Sequence, residues 1–114
     1  MGARVQNSAA VSFPGSGTMT HFTVWDAASG GTLQGTGTLG SSQGLPAQFA
    51  ASTLRIAVGD SVFTDNNDIA SVEARKAKIT HIQAHSAAPT PGSESTSNLL
   101  GGRVAITWGT TTAT

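Results

Sequence analysis

Thr18-Met19-Thr20-His21-Phe22-Thr23-Val24-Trp25-Asp26-Ala27-Ala28-Ser29-Gly30-Gly31 decides the fold. Side chains alternate along it with a period of two, the signature of an extended strand. Thr20, Phe22, Val24 and Asp26 fall on one face, and Met19, His21, Thr23 and Trp25 on the other. Both faces carry large apolar groups, so the strand is expected at the centre of a sheet or at an interface. Ala28-Ser29-Gly30-Gly31 then reads as a hairpin turn, because glycine supplies the positive φ values such turns need.

Strands recur on either side. Upstream, Arg4 to Pro14 places Val5, Ala9, Val11 and Phe13 on one face and Gln6, Ser8 and Ser12 on the other. Pro14-Gly15-Ser16-Gly17 is expected to end it as a turn. Downstream, Gly31 to Leu39 returns, with Leu33, Gly35, Gly37 and Leu39 on one face. Glycines there weaken a strand but permit a bulge or a close backbone approach. Gly40 to Gly44 reads as a loop. Ser52 to Val58 is a strand with Leu54, Ile56 and Val58 inward and Arg55 outward. Asp65 to Lys78 holds the one helix, predicted over about residues 66–77. Asp65, Asn66, Asn67 and Asp68 suit its positive end, and Arg75, Lys76 and Lys78 its negative end. Ile69, Val72 and the stem of Lys76 define its apolar side. Lys78 to Ser86 is a further strand, about 87–102 a long, exposed, mobile loop, Arg103 to Trp108 the last strand and Thr110 to Thr114 a frayed tail. The expectation is a single domain over residues 1–114, all-β, an antiparallel β-sandwich of jelly-roll type with one short α-helix.

Composition narrows what such a domain does. Of 114 residues, 11 % are charged, against about 25 % in an ordinary soluble domain. Six basic and six acidic residues cancel. Binding to nucleic acid or to an anionic membrane through Lys and Arg is not expected. The uncharged run Ala27 to Leu54 is too polar to span a bilayer as a helix. The N-terminus lacks the pattern of a signal peptide. With no cysteine there are no disulfides, thiolate metal sites or cysteine nucleophiles. A surface rich in the 16 Thr, 13 Ser and 14 Gly desolvates more cheaply than a charged one, which favours packing against copies or a larger particle.

Catalytic constellations are hard to find. His81 and His85 share a strand face, but four residues along a strand span ~13 Å, too far to chelate one metal. His21 approaches His81 if their two strands pair; a third ligand is still lacking. Those strands echo one another: Thr20 to Ala28 and Thr80 to Ala88 match at four of nine positions, at a spacing of 60, through kinship or chance. Asp60, Asp65 and Asp68 with Asn66 and Asn67 hint at calcium, but the glycine and glutamate of a calcium loop are missing and helix capping is the simpler reading. Gly35-x-Gly37-x-x-Gly40 matches a dinucleotide fingerprint in letters only, with no helix after it. No nucleophile elbow is present. No cofactor, metal or catalytic residue is expected. Met19, Trp25 and Trp108 are the candidate interface residues; a strand Trp is ordinarily core or subunit contact, although Trp25 and Trp108 could also stack on a sugar.

Three stretches carry a family resemblance. They are Val11-Ser12-Phe13-Pro14 with the Met19 to Gly31 stretch, then Ile79-Thr80-His81-Ile82-Gln83-Ala84-His85, then Gly101-Gly102-Arg103 with Ala105-Ile106-Thr107-Trp108-Gly109. Together they resemble small bacteriophage structural proteins of the tail-fibre-like or minor tail type. In that family the helix and the Ile79-type strand come first, the Thr107-Trp108-Gly109 strand follows, and the Thr20-His21-Phe22 to Trp25-Asp26-Ala27 segment comes last. Here the halves are exchanged. Joining Thr114 to Gly2 restores the family order and places the family's own ends near Val58 to Val62, so the chain resembles a circular permutant, natural or engineered. The spacing between Gly102 and Arg103 is shorter than in family members. The resemblance implies no catalysis. It implies a virion component on tail or capsid surface, with other virion proteins and itself as partners, a homotrimer favoured. The alternative is a carbohydrate- or host-surface-binding module.

Overall fold

The computed structural model describes residues 2–59 and 65–114. Strands take up 52 % of the chain, in two antiparallel sheets with one short helix, the expected all-β sandwich class. In chain order the elements are β1 (Ala3–Gln6), β2 (Val11–Trp25), β3 (Leu33–Phe49), β4 (Arg55–Val58), α1 (Asp65–Lys78), β5 (His81–His85), β6 (Leu99–Ala105) and β7 (Thr112–Ala113). One sheet has the order β4-β1-β7, the other β3-β2-β5-β6.

The deciding stretch forms the inner part of β2, flanked by β3 and β5. That central place in the sheet is the one expected from its sequence. The turn after it follows expectation: Gly30 and Gly31 hold φ of 63° and 68°. Gly37 lies opposite Phe22, whose ring occupies the space a Cβ would need. The close approach expected of the β3 glycines is therefore made at Gly37.

Three boundaries differ from expectation. Arg4 to Pro14 is not one strand: Val5 belongs to the core of the small sheet with Ala3, Ile56 and Val72, and Val11 and Phe13 to the core of the large one. The chain changes sheet at Asn7. Its amide donates to Ala9 O at 2.9 Å and Ala50 O at 3.1 Å, and its Oδ1 accepts from the N–H of Thr53 at 3.0 Å and Leu54 at 2.9 Å. The Pro14–Gly17 segment does not end β2. Gly15 and Gly17, at φ 110° and 105°, absorb a bulge between Phe13 and Gly17, and pairing with β3 resumes. Gly40 to Gly44 likewise stays within β3, because the bulge between Met19 and His21 takes up its extra residues. That bulge also moves Met19 onto the face of Phe22 and Val24, where it is buried in the core.

The C-terminal half differs in two further places. Residues 87–98 form hydrogen-bonded turns, with Ser97 N–H on Ser93 O at 3.0 Å and Thr90 N–H on Ser97 Oγ at 2.7 Å. The strand begins at Leu99, four residues before the start expected at Arg103. The tail is not frayed throughout: Thr112 and Ala113 pair with Arg4 and Ala3, and Thr114 N–H donates to Gly2 O at 2.9 Å.

The helix runs where capping and charge placed it. Val72 is fully buried against Ala3, Val5 and Ile56, Ile69 is half-buried, and Arg75, Lys76 and Lys78 occupy the last turn. Asp68 is buried on the first turn, whereas Asp60 of the acidic cluster lies outside the described residues. Ile79 and Trp108 pack against both cores and join the two sheets.

Candidate functional site: the face around Trp25 and the edges of the large sheet

Trp25 ends β2, opposite Leu33 on β3 and His81 on β5. It is 5 % exposed. Arg103, reaching over from β6, lies with its guanidinium carbon 3.8 Å from the ring centroid. The same guanidinium donates to Ala27 O at 2.9 Å and Gly30 O at 2.7 Å. One side chain thus covers the indole and holds the hairpin turn, a pairing that Arg suits through its planar fork and weak hydration. Met19 and Trp25 are therefore taken up by the chain's own interior. Trp108 is half-buried, and its indole N–H donates to Ile79 O at 2.7 Å.

Beneath Trp25 the polar groups form one defined chain. The Trp25 indole N–H donates to Thr23 Oγ1 at 2.8 Å. Thr23 Oγ1 lies 2.8 Å from His85 Nε2, and His85 Nδ1 lies 2.9 Å from Ser97 O. A carbonyl only accepts, so Nδ1 carries the proton and Nε2 accepts from the Thr23 hydroxyl. Every group is satisfied when His85 is neutral. Burial pushes the His85 pKa below its ordinary value; the bond to Ser97 O opposes this, and the nearby His21 adds to it. The strand period put Thr23 beside Trp25 on one face, but Arg103, Ser97 and the bond from Thr23 to His85 had no signal in the sequence, because each acts through a residue distant in the chain.

The echoing strands do pair, as neighbours in one sheet. Because β2 and β5 run antiparallel, His21 faces His85, and His81 faces Trp25. The expected approach of His21 to His81 is not made. The echo has a structural counterpart all the same: in each copy the Thr hydroxyl lies 2.8 Å from Nδ1 of the next His, Thr20 with His21 and Thr80 with His81. Among the described residues no cluster of three or more His, Asp or Glu is arranged to hold a metal.

The edges of the sheets are the remaining candidate surface. β3 and β6 bound the large sheet, β4 and β7 the small one. Leu99, at the start of β6, is 41 % exposed. Beside β3 an apolar cleft of about 470 Å³ runs between the sheets, lined by Met19, Phe22, Leu39, Phe49 and Leu54 among others. Among the described residues no helix is long and apolar enough to cross a membrane.

Comparison with known proteins gives one family. The family described as podophage GP4 fiber I protein gp80 matches residues 1–64, more than half of the chain. No curated protein and no solved structure matches. The match spans β1 to β4 and so includes the deciding strand, its hairpin and the whole of β3.

Proposed function

Because the chain belongs to the podophage GP4 fiber I protein gp80 family, we propose that it is a non-enzymatic structural component of a phage virion that works by self-association, as a homotrimer, alongside other virion proteins. The observation that carries this reading is the family match over residues 1–64. The described structure is in keeping with it. The three histidines are engaged by Thr20, Thr80, and Thr23 with Ser97. Mass in solution tests the reading: size-exclusion chromatography with light scattering gives a discrete oligomer if it holds, and one chain at every concentration if it does not.

The proposal includes the permuted order. Its support is the order of the three family-like segments together with the pairing of β7 on β1, which sets Thr114 against Gly2. A chain in which Thr114 runs directly into Gly2 and a new start lies near Val62 tests it. The same circular dichroism and the same cooperative melting are expected; loss of folding counts against it. A glycan-binding module finds no support in the two tryptophans, since Arg103 covers one and the other is half-buried.

A further inference from the structure

Sheet edges expose unpaired backbone N–H and C=O groups, and natural proteins guard them with shortness, charge or cover. The small sheet does so here. β7 has two residues, and β4 has four with Arg55 exposed. β3 does so only in part: it runs for 17 residues, Leu33–Phe49, without one Asp, Glu, Lys, Arg or His, and the proline (Pro46) and the larger bulges that blunt an edge lie beyond Thr38, leaving Gly35 to Thr38 regular. Its free side is paired with no other strand among the described residues. Thr36 and Thr38 stand exposed on the part whose pairing with β2 is regular.

β6, at the far end of the same sheet, is the complementary edge. Its only charged residue is Arg103, and that side chain is folded back onto Trp25 and the hairpin turn of its own chain. Its first residue, Leu99, is the only exposed large hydrophobic among the described residues.

Strand direction fits the two edges together. Every pair in the order β3-β2-β5-β6 is antiparallel, and the number of strands is even. A second copy placed beside the first in the same orientation therefore brings its β6 against β3 with antiparallel polarity, ready to form ladder bonds. We propose that the free edge of β3 is the assembly surface of this protein and that it takes β6 of a second copy. The contact is heterologous, so it closes into a ring when the rotation per copy allows, three copies being the ring expected here. This inference rests on the self-association reading and names the surface that performs it.

The test uses the full chain. Wild type is expected to run as three chains in size-exclusion chromatography with light scattering, and Thr36→Lys with Thr38→Lys as one, with circular dichroism and melting otherwise unchanged. Ser95→Lys, on the turns between β5 and β6, is expected to leave the trimer intact. The absence of cysteine allows a second readout. Thr36→Cys mixed with Leu99→Cys is expected to cross-link through a short bis-maleimide, and each alone is not. A trimer indifferent to the paired lysines overturns the edge proposal and leaves self-association standing. Cross-linking of Thr36→Cys only with itself overturns the pairing with β6. A monomer at every concentration overturns both.

Discussion

The Arg103 guanidinium stacks on the Trp25 ring at 3.8 Å from its centroid and also bonds the carbonyls of Ala27 and Gly30. Seventy-eight residues of chain separate the two side chains' positions, counting from Trp25 to Arg103. The contact joins the tip of the β2–β3 hairpin to the edge strand β6, so it ties together the two halves of the large sheet.

Arg103→Ala is expected to lower stability by about 2 kcal/mol, the order of a desolvated cation–π contact plus hydrogen bonds from a charged donor. Arg103→Lys keeps the charge without the fork and recovers only part of the loss. Urea unfolding measures the cost, and a red shift of the tryptophan emission reports the uncovered ring. An alanine variant as stable as wild type refutes the pinning role.

Stability is expected to fall with acidification through the His85 titration. Burial holds the folded pKa below the unfolded value of about 6.5. Below that value the unfolded state binds the proton and the folded state resists it, so the contribution is complete above about 6.5 and is lost as the pH falls through the folded pKa. Protonated Nε2 also confronts Thr23 Oγ1, whose own proton then loses its acceptor. His85→Gln is expected to flatten this part of the profile of melting temperature against pH. An unchanged slope in that variant assigns the acid sensitivity elsewhere.

Gly37→Ala is expected to cost about 1–3 kcal/mol by overpacking, because the added methyl meets the Phe22 ring. Adding Phe22→Leu should recover part of the loss. A double-mutant cycle in chemical denaturation measures that coupling, which is expected to be well above zero.

Asn7→Ala is expected to cost about 3 kcal/mol. It deprives the part-buried N–H groups of Thr53 and Leu54 of their acceptor and the carbonyls of Ala9 and Ala50 of a donor. Asn7→Asp keeps the acceptor and loses the donor, so an intermediate loss is expected at neutral pH. Limited proteolysis should find new cleavage at Ala50 to Leu54 in the alanine variant.

Much was legible in the residues themselves. Period-two alternation placed β2, and its two apolar faces placed it centrally. Caps and charge polarity placed α1, and glycines at positive φ placed the hairpin turn. These are local effects: backbone sterics, side-chain period and helix-end electrostatics act within a few residues, and so composition and order suffice to read them.

The rest was decided between residues far apart in the chain. Bulges at Gly15–Gly17 and after Met19 carry β2 and β3 through segments that look like breaks, and only the partner strand determines that an extra residue is absorbed rather than turned. Val5 and Val11 share a sequence pattern and enter different cores, because Asn7 bonds the distant segment 50–54. Antiparallel pairing set His21 against His85, and Arg103 covered Trp25. Period and propensity determine which segments form strands and a helix; register, burial and the identity of the free edges are set by long-range packing, which one chain's local pattern does not encode.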